Sequence, residues 1–402
     1  MIKIAVLGYG VVGSGVVHVL DKNADRISQN AEQEIQVKYI LDIREHPDSP
    51  YKHLFAKDFD TILGDPEISV VAEVIGGTGA ALTYTRSCLE AGKSVVTSNK
   101  ELVAEHGTEL FKLATEKGVN YLFEASVGGG IPVIRPLAQC MSANTLHEIY
   151  GILNGTTNYI LTDMEQSGTE FSDALLEAQK KGYAESDPTA DIEGHDACRK
   201  ICILSSLAFG RHVDPRLIQT QGITGVDKSD MLYASELGYK IKLLGRARSV
   251  GEKVSAYVAP HLVSKHSILA EVSDVMNGVV IRGNAVGNVF FCGAGAGKLP
   301  TASAVVADII DATKHLHARR WISWEDGSDD LISDPLLLQS AWYIRTDATR
   351  ECVEKEFGNV IFANDTGSET AFVTAVMNGK MIDDLLSRGI TAKSQFRVLG
   401  DH

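Results

Sequence analysis

The densest group of side chains capable of chemistry lies in a turn-rich stretch that ends at Lys200. Asp196 and Lys200 are four residues apart, which puts them on one face of a helix. The helix around them is apolar on most sides, and a helix that is apolar all round is buried. A buried lysine is costly unless it is paired or used. The cluster favours a pocket for a small cationic and polar substrate with an acid–base lysine, over a surface salt bridge. The acids just upstream are Glu185, Asp187 and Asp191.

Three glycines near the start of the chain indicate a second kind of site. Gly8, Gly10 and Gly13 follow an apolar run at 2–7 and precede apolar residues at helical spacing. The first glycine permits a tight turn, the second lets the backbone approach a pyrophosphate, and the third lets helix and sheet pack closely. The N-terminus of the helix then faces the anion. This pattern predicts a dinucleotide site.

Two charged residues follow the second predicted strand, where the ribose of a dinucleotide is normally bound. Asp42 would accept a hydrogen bond from the ribose of NAD and would repel a 2′-phosphate. Arg44 could instead bind that phosphate. A solvated strand end is the alternative for both residues. On Asp42 we expect a slight preference for NAD.

Lys100 follows a short apolar run at 94–97, so it stands at the edge where an open parallel sheet binds its ligand. A lysine there can neutralise an anion or supply a proton. A surface lysine at the start of a helix is the alternative interpretation.

Alternating strand and helix patterns must position these residues. Up to residue 123 they predict a parallel, doubly wound sheet, with strands at 2–7, 35–41, 70–75, 94–97 and 119–123. Beyond residue 130 the patterns predict helices at 158–166, 172–181 and 196–209, then an antiparallel sheet that includes 254–263 and 279–283. A helix is expected at 301–317, and an acidic linker at 325–334. The segment 341–400 fits the order β-α-β-β-α-β.

Composition excludes several classes of function. The 402 residues suffice for two or three domains. The net charge of −14 gives no basic surface for nucleic acid or an anionic membrane. The six cysteines contain no Cys-x-x-Cys pair, and no run of about 20 apolar residues occurs. We therefore expect a cytoplasmic enzyme with reduced thiols.

Blocks of sequence between residue 1 and about 320 resemble the homoserine dehydrogenase family and occur in its order. The Asn-Gly-Thr-Thr-Asn and Gly-Tyr-Ala-Glu blocks are the most specific. The resemblance implies a Rossmann-type cofactor domain at 1–130 plus 300–320, and an α+β domain at 131–299 for substrate binding and oligomerisation. A linker at 321–340 would lead to an ACT-like (ferredoxin-like) domain at 341–402. The blocks are the Gly8 motif, 73–77, 98–100, 124–132, 154–160, 182–200, 295–297 and 300–301.

The resemblance also assigns roles to residues. It makes Lys200 and Lys100 catalytic. It implies substrate contacts at Glu185, Asp196, Asp191, Tyr183 and Thr156. It implies cofactor contacts at Gly8, Gly10, Val11, Val12, Gly13, Asp42, Arg44, Gly76, Ser98, Lys100, Gly182 and Gly297. It implies a monovalent cation site, usually for sodium, at Glu124, Val127, Gly129 and Ile131.

The reaction implied is the interconversion of L-aspartate 4-semialdehyde and L-homoserine with NAD or NADP, in threonine, methionine and isoleucine synthesis. The family is usually dimeric or larger, so we expect a homo-oligomer whose other partner is its small-molecule substrate. One alternative is a phosphorylating semialdehyde dehydrogenase, but no cysteine stands in a convincing nucleophile setting. The other is a non-catalytic cofactor or amino-acid sensor, against which the intact lysines and acids argue.

The C-terminal segment departs from the ACT pattern at one point. The Pro-Gly turn usual after the first strand is missing, and residues 346–350 read Thr-Asp-Ala-Thr-Arg. We expect this domain to support assembly through its edge strands and to bind no effector.

Overall fold

The computed structural model describes residues 1–318, 322–363 and 369–400. The chain divides into two compact units. The first comprises Met1–Thr145, Cys202–Pro215 and Gly293–Gly327, and the second comprises Leu146–Ile201, Arg216–Cys292 and Ser328–His402. The predicted boundary at 320–321 lies outside the described residues.

The strands of the described chain are β1 Ile2–Leu7, β2 Ile35–Leu41, β3 Ile68–Glu73, β4 Ser94–Thr97, β5 Tyr121–Leu122, β6 Leu146–Ile152, β7 Gln219–Thr220, β8 Tyr239–Val250, β9 Lys253–Ser264, β10 Met276–Gly283, β11 Gly287–Ala294, β12 Gln339–Ser340, β13 Trp342–Thr346, β14 Ile361–Phe362, β15 Thr370–Val373, β16 Met377–Asn378 and β17 Ala392–Val398.

The α-helices of the described chain are α1 Val11–Lys22, α2 Ala24–Ala31, α3 Phe59–Leu63, α4 Gly79–Glu90, α5 Lys100–Lys117, α6 Gly155–Ser167, α7 Phe171–Lys180, α8 Thr189–Ile192, α9 His195–Phe209, α10 Lys228–Glu236, α11 Lys298–Lys314, α12 Arg350–Phe357 and α13 Gly379–Ser387.

The first unit contains the predicted parallel sheet, in the order β2-β1-β3-β4-β5. Strands β1, β3 and β4 are apolar runs with buried side chains, as expected for parallel strands covered on both faces. The order reverses at β1, with β2 on one side and β3 on the other. In such sheets ligands bind at the carboxyl ends of the strands beside this reversal. The turn after β1 and the ends of β3 and β4 are therefore the places to look for a cofactor site.

The polar stretch at 23–34, which looks like an insertion in the sequence, forms the helix α2. Its buried side chains Ile27 and Ala31 are four residues apart and so lie on one face. Two buried side chains in eight residues are too weak a pattern to predict the helix from sequence.

The second unit is built on one large sheet, in the order β11-β10-β6-β8-β9-β17-β13-β15-β14. The expectation of an antiparallel sheet needs correction, because the sheet is mixed. Strands β7 and β17 both run parallel to β9, whereas β8 runs antiparallel to it. Parallel neighbours come from distant parts of the chain, so local sequence patterns do not announce them.

The C-terminal segment has the predicted β-α-β-β-α-β order, in β13, α12, β14, β15, α13 and β17, with the short β16 before α13. Its own core includes Trp342, Ile344 and Phe372. Strand β17 pairs with β9 at Arg397–His261 and at the next residue pair. The segment therefore extends the sheet of the second unit.

A buried polar network also joins this segment to α10. Asp230 is fully buried and accepts hydrogen bonds from Tyr343, Arg345 and Ser394 at 2.8–3.0 Å. A buried carboxylate left without such partners is strongly destabilising.

The acidic segment at 325–334 is exposed only as far as Asp330. Leu331 and Pro335 are buried, and short 3₁₀ turns at Asp329–Leu331 and Pro335–Leu337 follow the exposed part. No helix of the described residues is long and apolar enough to cross a membrane.

Candidate functional site

The glycine turn after β1 has the geometry that its spacing predicts. Gly8 has a φ of +99°, and a side chain at Gly13 would place its Cβ 1.9 Å from the carbonyl oxygen of Gly8. Gly10 is the N-cap of α1 and has no side chain to satisfy the first amides of the helix. These amides remain available to an anion. Val11, the first helical residue, is exposed beside them, and Val12 is half-buried.

Asp42 is used by the protein itself. One carboxylate oxygen accepts the backbone N–H of Tyr9 at 2.6 Å, and the other accepts the backbone N–H of Arg44 at 2.8 Å. Burial would raise the pKa of Asp42, but these hydrogen bonds outweigh it and hold the pKa below its usual value. Asp42 therefore ties the glycine turn to the end of β2.

The guanidinium of Arg44 is the more accessible charge at this place. Its side chain is 66% exposed, against 6% for Asp42. It also lies 3.8 Å from the position that a Cβ of Gly10 would occupy. An exposed guanidinium beside the turn can contact a phosphate in bidentate fashion.

The predicted residues Gly76, Ser98 and Lys100 follow the ends of β3 and β4. Asn99 caps α5 by accepting the N–H of Leu102 at 3.1 Å, so Lys100 is the first residue of that helix. Lys100 and Ser98 are half-buried. Gly297 caps the N-terminus of α11, which packs against α1.

In the second unit, Lys200 is a residue of α9 and lies in a pocket lined by polar groups. It is 8% exposed, and its Nζ donates to Asp196 Oδ2 and to the carbonyl oxygen of Leu153, each at 2.7 Å. Asn154 donates to Asp191 Oδ1 at 2.7 Å and to Asp196 Oδ2 at 2.8 Å. A buried amino group held against a carboxylate can deliver or take up a proton at a fixed position.

Asn154 contacts this pocket but was not singled out in the sequence analysis, although it opens the block at 154–160. Its side-chain oxygen caps α6 by accepting the N–H of Thr157 at 2.8 Å, and its NH₂ group bridges two carboxylates. An asparagine before a helix is a recognisable N-cap signal. The bridge between Asp191 and Asp196 depends on tertiary contacts and has no such signal.

Of the other predicted substrate residues, Asp191, Thr156 and Tyr183 join this pocket. Burial, followed by the nearby charge of Asp196, raises the pKa of Asp191, although the hydrogen bond from Asn154 and the charge of Lys200 oppose the rise. Thr156 Oγ1 donates to the carbonyl oxygen of Tyr183 at 2.7 Å. The Tyr183 ring packs edge-on against Tyr159 at 5.0 Å between centroids.

The structure does not join Glu185 to the Lys200 pocket by any direct contact. Glu185 is exposed, and among the described residues its carboxylate has no hydrogen-bond or ion-pair partner. Gly182 is exposed in the same loop, directly after α7. The carboxylate of Glu185 is therefore available to a ligand.

The glycine-rich turn after Glu124 is held from two sides. The Glu124 carboxylate accepts the backbone N–H groups of Val133, Ile134 and Arg135 at 2.7–2.9 Å. The Glu124 N–H donates to Asp308 Oδ2 at 2.8 Å. The carboxylate of Glu124 thus shapes the turn and has little capacity left for a cation.

Backbone oxygens of this turn could still hold a monovalent cation. In the described part of the chain, no N–H or O–H group donates to the carbonyl oxygens of Val127, Gly129 and Ile131. A Cβ at Gly129 would lie 2.3 Å from the carbonyl oxygen of Gly295, so the turn is tightly packed. The described residues contain no group of three or more His, Cys, Asp or Glu side chains suited to a metal. The fit is to a cation that accepts neutral oxygen ligands.

A doubly wound sheet whose first turn opens on unsatisfied helix amides can bind the pyrophosphate of a dinucleotide. A buried lysine beside carboxylates can exchange a proton with a substrate oxygen. Hydride transfer to or from the carbon of a carbon–oxygen bond uses both a cofactor site and a group that exchanges a proton with the oxygen. The fold and the two groups of residues define the class of nicotinamide-dependent oxidoreductases.

Comparisons with known proteins identify the family. The model described as homoserine dehydrogenase, NAD binding domain, matches residues 8–124, and the homoserine dehydrogenase model matches residues 132–310. The homoserine dehydrogenase of Neisseria gonorrhoeae is 44% identical over 79% of this chain and 73% of its own length. That of Helicobacter pylori is 34% identical over 96% and 97%. A solved homoserine dehydrogenase from Thiobacillus denitrificans is 35% identical, with a TM-score of 0.88 over 99% of this chain and 98% of its own.

The chain belongs to the homoserine dehydrogenase family of NAD(P)-dependent oxidoreductases. This confirms the family, the α/β fold class and the enzyme class predicted from the sequence. It sets aside the two alternatives, a phosphorylating semialdehyde dehydrogenase and a non-catalytic sensor.

Proposed function

We propose that the enzyme interconverts L-homoserine and L-aspartate 4-semialdehyde in the cytoplasm, in the synthesis of threonine, methionine and isoleucine. The observation that carries this proposal is the environment of Lys200. Its ammonium is buried and fixed by Asp196 and by the carbonyl oxygen of Leu153. Such a group can donate a proton to the oxygen that becomes negative as an aldehyde is reduced.

The nicotinamide, when bound, supplies the hydride for reduction of the aldehyde and accepts it in the reverse reaction. Lys200 gives its proton to the developing alkoxide, and takes the hydroxyl proton when homoserine is oxidised. Asp196 holds the Lys200 amino group in place, and Asn154 holds Asp196. Lys100, the first residue of α5, is the second lysine that we propose to be catalytic.

Glu185 binds the ammonium group of the substrate. Its carboxylate is exposed and has no partner among the described residues, so it is ready to pair with a cation. Asp191, Thr156 and Tyr183 complete the substrate contacts. Asp191 shares the NH₂ group of Asn154 with Asp196, which couples the substrate-binding acids to the catalytic lysine.

The assay that tests this function measures reduction of NAD or NADP at the nicotinamide absorbance, with homoserine as the only reductant. Turnover that starts with homoserine and does not respond to phosphate supports the proposal. Activity on aldehydes that requires phosphate would contradict it.

For the cofactor we propose NADP, which differs from the expectation based on Asp42. Both oxygens of Asp42 already accept hydrogen bonds from the backbone of its own loops. Arg44 pairs with Asp42 through Nε at 3.4 Å but keeps its guanidinium exposed beside the turn, and it would bind the 2′-phosphate. A hyperthermophilic archaeal homoserine dehydrogenase, solved in complex with NADPH, is 26% identical to this chain, with a TM-score of 0.66 over 78% of it.

For the cation we propose sodium at the backbone oxygens of Val127, Gly129 and Ile131, with the carbonyl of Glu124 as a further ligand. Its role would be to hold the turn in shape. Thermal unfolding of the cofactor-free enzyme in NaCl, KCl and choline chloride at equal ionic strength tests this. A higher Tm in NaCl supports the site, and equal Tm values in the three salts would contradict it.

We infer that the enzyme is a homodimer or a larger homo-oligomer. We also infer that its ACT-like C-terminal segment stabilises this assembly and binds no effector. The segment shares a sheet and the Asp230 network with the rest of the second unit, which suits a structural role. Titration of the full-length enzyme with L-threonine should leave its activity nearly unchanged, and its mass in solution should exceed that of one chain. Strong inhibition by threonine would contradict the structural role.

A further inference from the structure

Glu73, the last residue of β3, is a buried carboxyl group to which the proposed mechanism gives no role. It is 0% exposed, and its backbone pairs with Leu7 on one side and with Thr97 on the other. Its side chain therefore starts between the strand that leads into the glycine turn and the strand that leads to Lys100. Burial raises the pKa of this carboxyl group.

The first contact of the Glu73 carboxyl is with the loop that follows β3. Oε1 accepts the backbone N–H of Ile75 at 2.8 Å. Gly76 and Gly77 have φ values of +95° and +66°. Consecutive residues with positive φ make none of the regular hydrogen bonds of a strand or a helix. The hydrogen bond to the Glu73 carboxyl therefore holds this loop in place.

The second contact is with the start of α5. Oε2 accepts the hydroxyl of Thr97 at 2.6 Å, and Thr97 Oγ1 in turn accepts the N–H of Asn99 at 2.9 Å. The Asn99 side chain donates at 2.6 Å to the carbonyl oxygen of Gly77. Asn99 is the N-cap of the helix that begins at Lys100.

One carboxyl thus joins two loops at the carboxyl edge of the sheet, where the cofactor is expected to bind. We propose that Glu73 is a positioning residue that holds the loop at 75–77 and the amino end of α5, and through it Lys100, in the geometry required for hydride transfer. This rests on the proposed function. Glu73 acts through its two hydrogen-bonded arms and touches neither substrate nor the reacting atoms.

The test compares three variants of the full-length enzyme by NADPH binding, followed by fluorescence, and by the single-turnover rate with homoserine. Glu73→Leu removes both arms, so it should slow single turnover about 10- to 100-fold and weaken NADPH binding. Thr97→Val has nearly the same shape and removes only the arm to Asn99. It should slow single turnover while NADPH affinity stays within about threefold of wild type. Glu73→Gln keeps groups that can bond both loops and should recover most of the lost rate.

The two arms also predict non-additivity, because Thr97 acts through Glu73. The Glu73→Leu, Thr97→Val double variant should be no slower than Glu73→Leu alone. A matched control is Lys93→Met, at the opposite end of β4. Lys93 is also buried, and its Nζ donates to the carbonyl oxygens of Asp65 and Ile68. This control should lower the Tm and leave NADPH affinity and the rate unchanged.

Wild-type rates in both Glu73→Leu and Thr97→Val would overturn the positioning role, as would additive losses in the double variant. If Glu73→Leu fails to fold, Thr97→Val decides alone, since it leaves the core shape intact. Failure of the proposed function looks different, because the wild-type enzyme would then bind no NADPH or fail to oxidise homoserine.

Discussion

The second unit contains two buried lysines in different surroundings. Lys200 is 8% exposed and lies against Asp196, with Asp191 close by through Asn154. Lys242, on β8, is 1% exposed and donates to two neutral oxygens, the side-chain oxygen of Asn158 at 3.1 Å and the carbonyl of Val272 at 2.7 Å.

The difference shows that burial alone does not identify a functional lysine. Burial lowers the pKa of Lys242 to about 8. Its hydrogen-bond partners are the carbonyl oxygen of Val272 and the side-chain amide of Asn158 in α6, and no carboxylate of the described residues lies at hydrogen-bond distance, so it has a structural place. Lys200 has the carboxylate of Asp196 at hydrogen-bond distance, and Asn154 links that carboxylate to the one of Asp191. The comparison can be tested by removing each side chain in turn.

The largest effect is expected for Lys200→Met. Turnover with homoserine should fall by about 10²- to 10⁴-fold, the usual contribution of proton transfer, while NADPH binding stays intact. Steady-state kinetics and fluorescence titration measure the two quantities. Lys180→Met, at an exposed lysine of α7, is the control and should behave as wild type. Near-normal turnover of Lys200→Met would remove the distinction between the two buried lysines.

The next largest effect concerns substrate binding. Glu185→Gln removes the charge proposed to pair with the substrate ammonium, so the KM for homoserine should rise about 10- to 100-fold, as for loss of a hydrogen bond to a charged group. The KM for the cofactor should not change. Asp187→Asn is the matched control, because Asp187 accepts from the N–H and hydroxyl of Thr189 within its own turn. An unchanged KM in Glu185→Gln would place the ammonium elsewhere.

A smaller effect is expected in the first unit, where the same contrast exists between a largely buried, hydrogen-bonded charge at Asp42 and an exposed charge at Arg44. The enzyme should prefer NADP, and Arg44→Ala should lower kcat/KM for NADP about tenfold, or about 1.4 kcal/mol, with little change for NAD. Arg26→Ala, at an exposed arginine of α2, serves as the control. A wild-type preference for NAD would support the original interpretation of Asp42.

The smallest effect on activity is expected for Lys242→Met, which should retain kcat and both KM values. Its signature is the pH dependence of stability. In the wild type the folded chain loses the Lys242 proton near pH 8, whereas the unfolded chain keeps it to about pH 10.5. The unfolded state then binds more protons, so stability should rise across this window by up to about 3 kcal/mol.

Urea unfolding of wild type and Lys242→Met at pH 7.5, 9 and 10.5 measures this rise, which the variant should lack. A rise of equal size in both proteins would assign it to another group. Loss of turnover in Lys242→Met would show that Lys242 has more than a structural place.

Much of the first unit could be predicted from local patterns. Short apolar runs ending in glycine or a polar residue indicated β1, β3 and β4, because strands buried on both faces need continuous apolar side chains. The second unit was harder. β8 contains Lys240, Lys242, Arg246 and Arg248, and these charges obscure a strand. The structure shows why they are tolerated, since Arg246 pairs with the buried Glu148, and Lys242 donates to the side-chain oxygen of Asn158 in α6 and to the carbonyl oxygen of Val272.

The residues of the candidate site were mostly visible in the sequence, but their groupings were not. The spacing of Asp196 and Lys200 was sufficient to place them together, because helix geometry is local. The parts played by Asn154 and Glu73 depend on contacts made only after folding. The replacement of Asp42 by Arg44 as the proposed cofactor contact has the same origin, because only the folded structure shows which donors already occupy the Asp42 carboxylate.

The sequence by itself determined the family, the Rossmann turn, and the residues that can carry charge and protons, because these depend on residue type and on short spacings along the chain. Tertiary structure alone decided which charged side chains form hydrogen bonds within the protein and which stay available to a ligand. Asp42 and Glu124 bond backbone amides, Lys242 is fixed by neutral oxygens, and Glu185 stays exposed. The physical reason is that a buried polar group must find a partner, and the partner comes from wherever the fold brings an unsatisfied donor or acceptor.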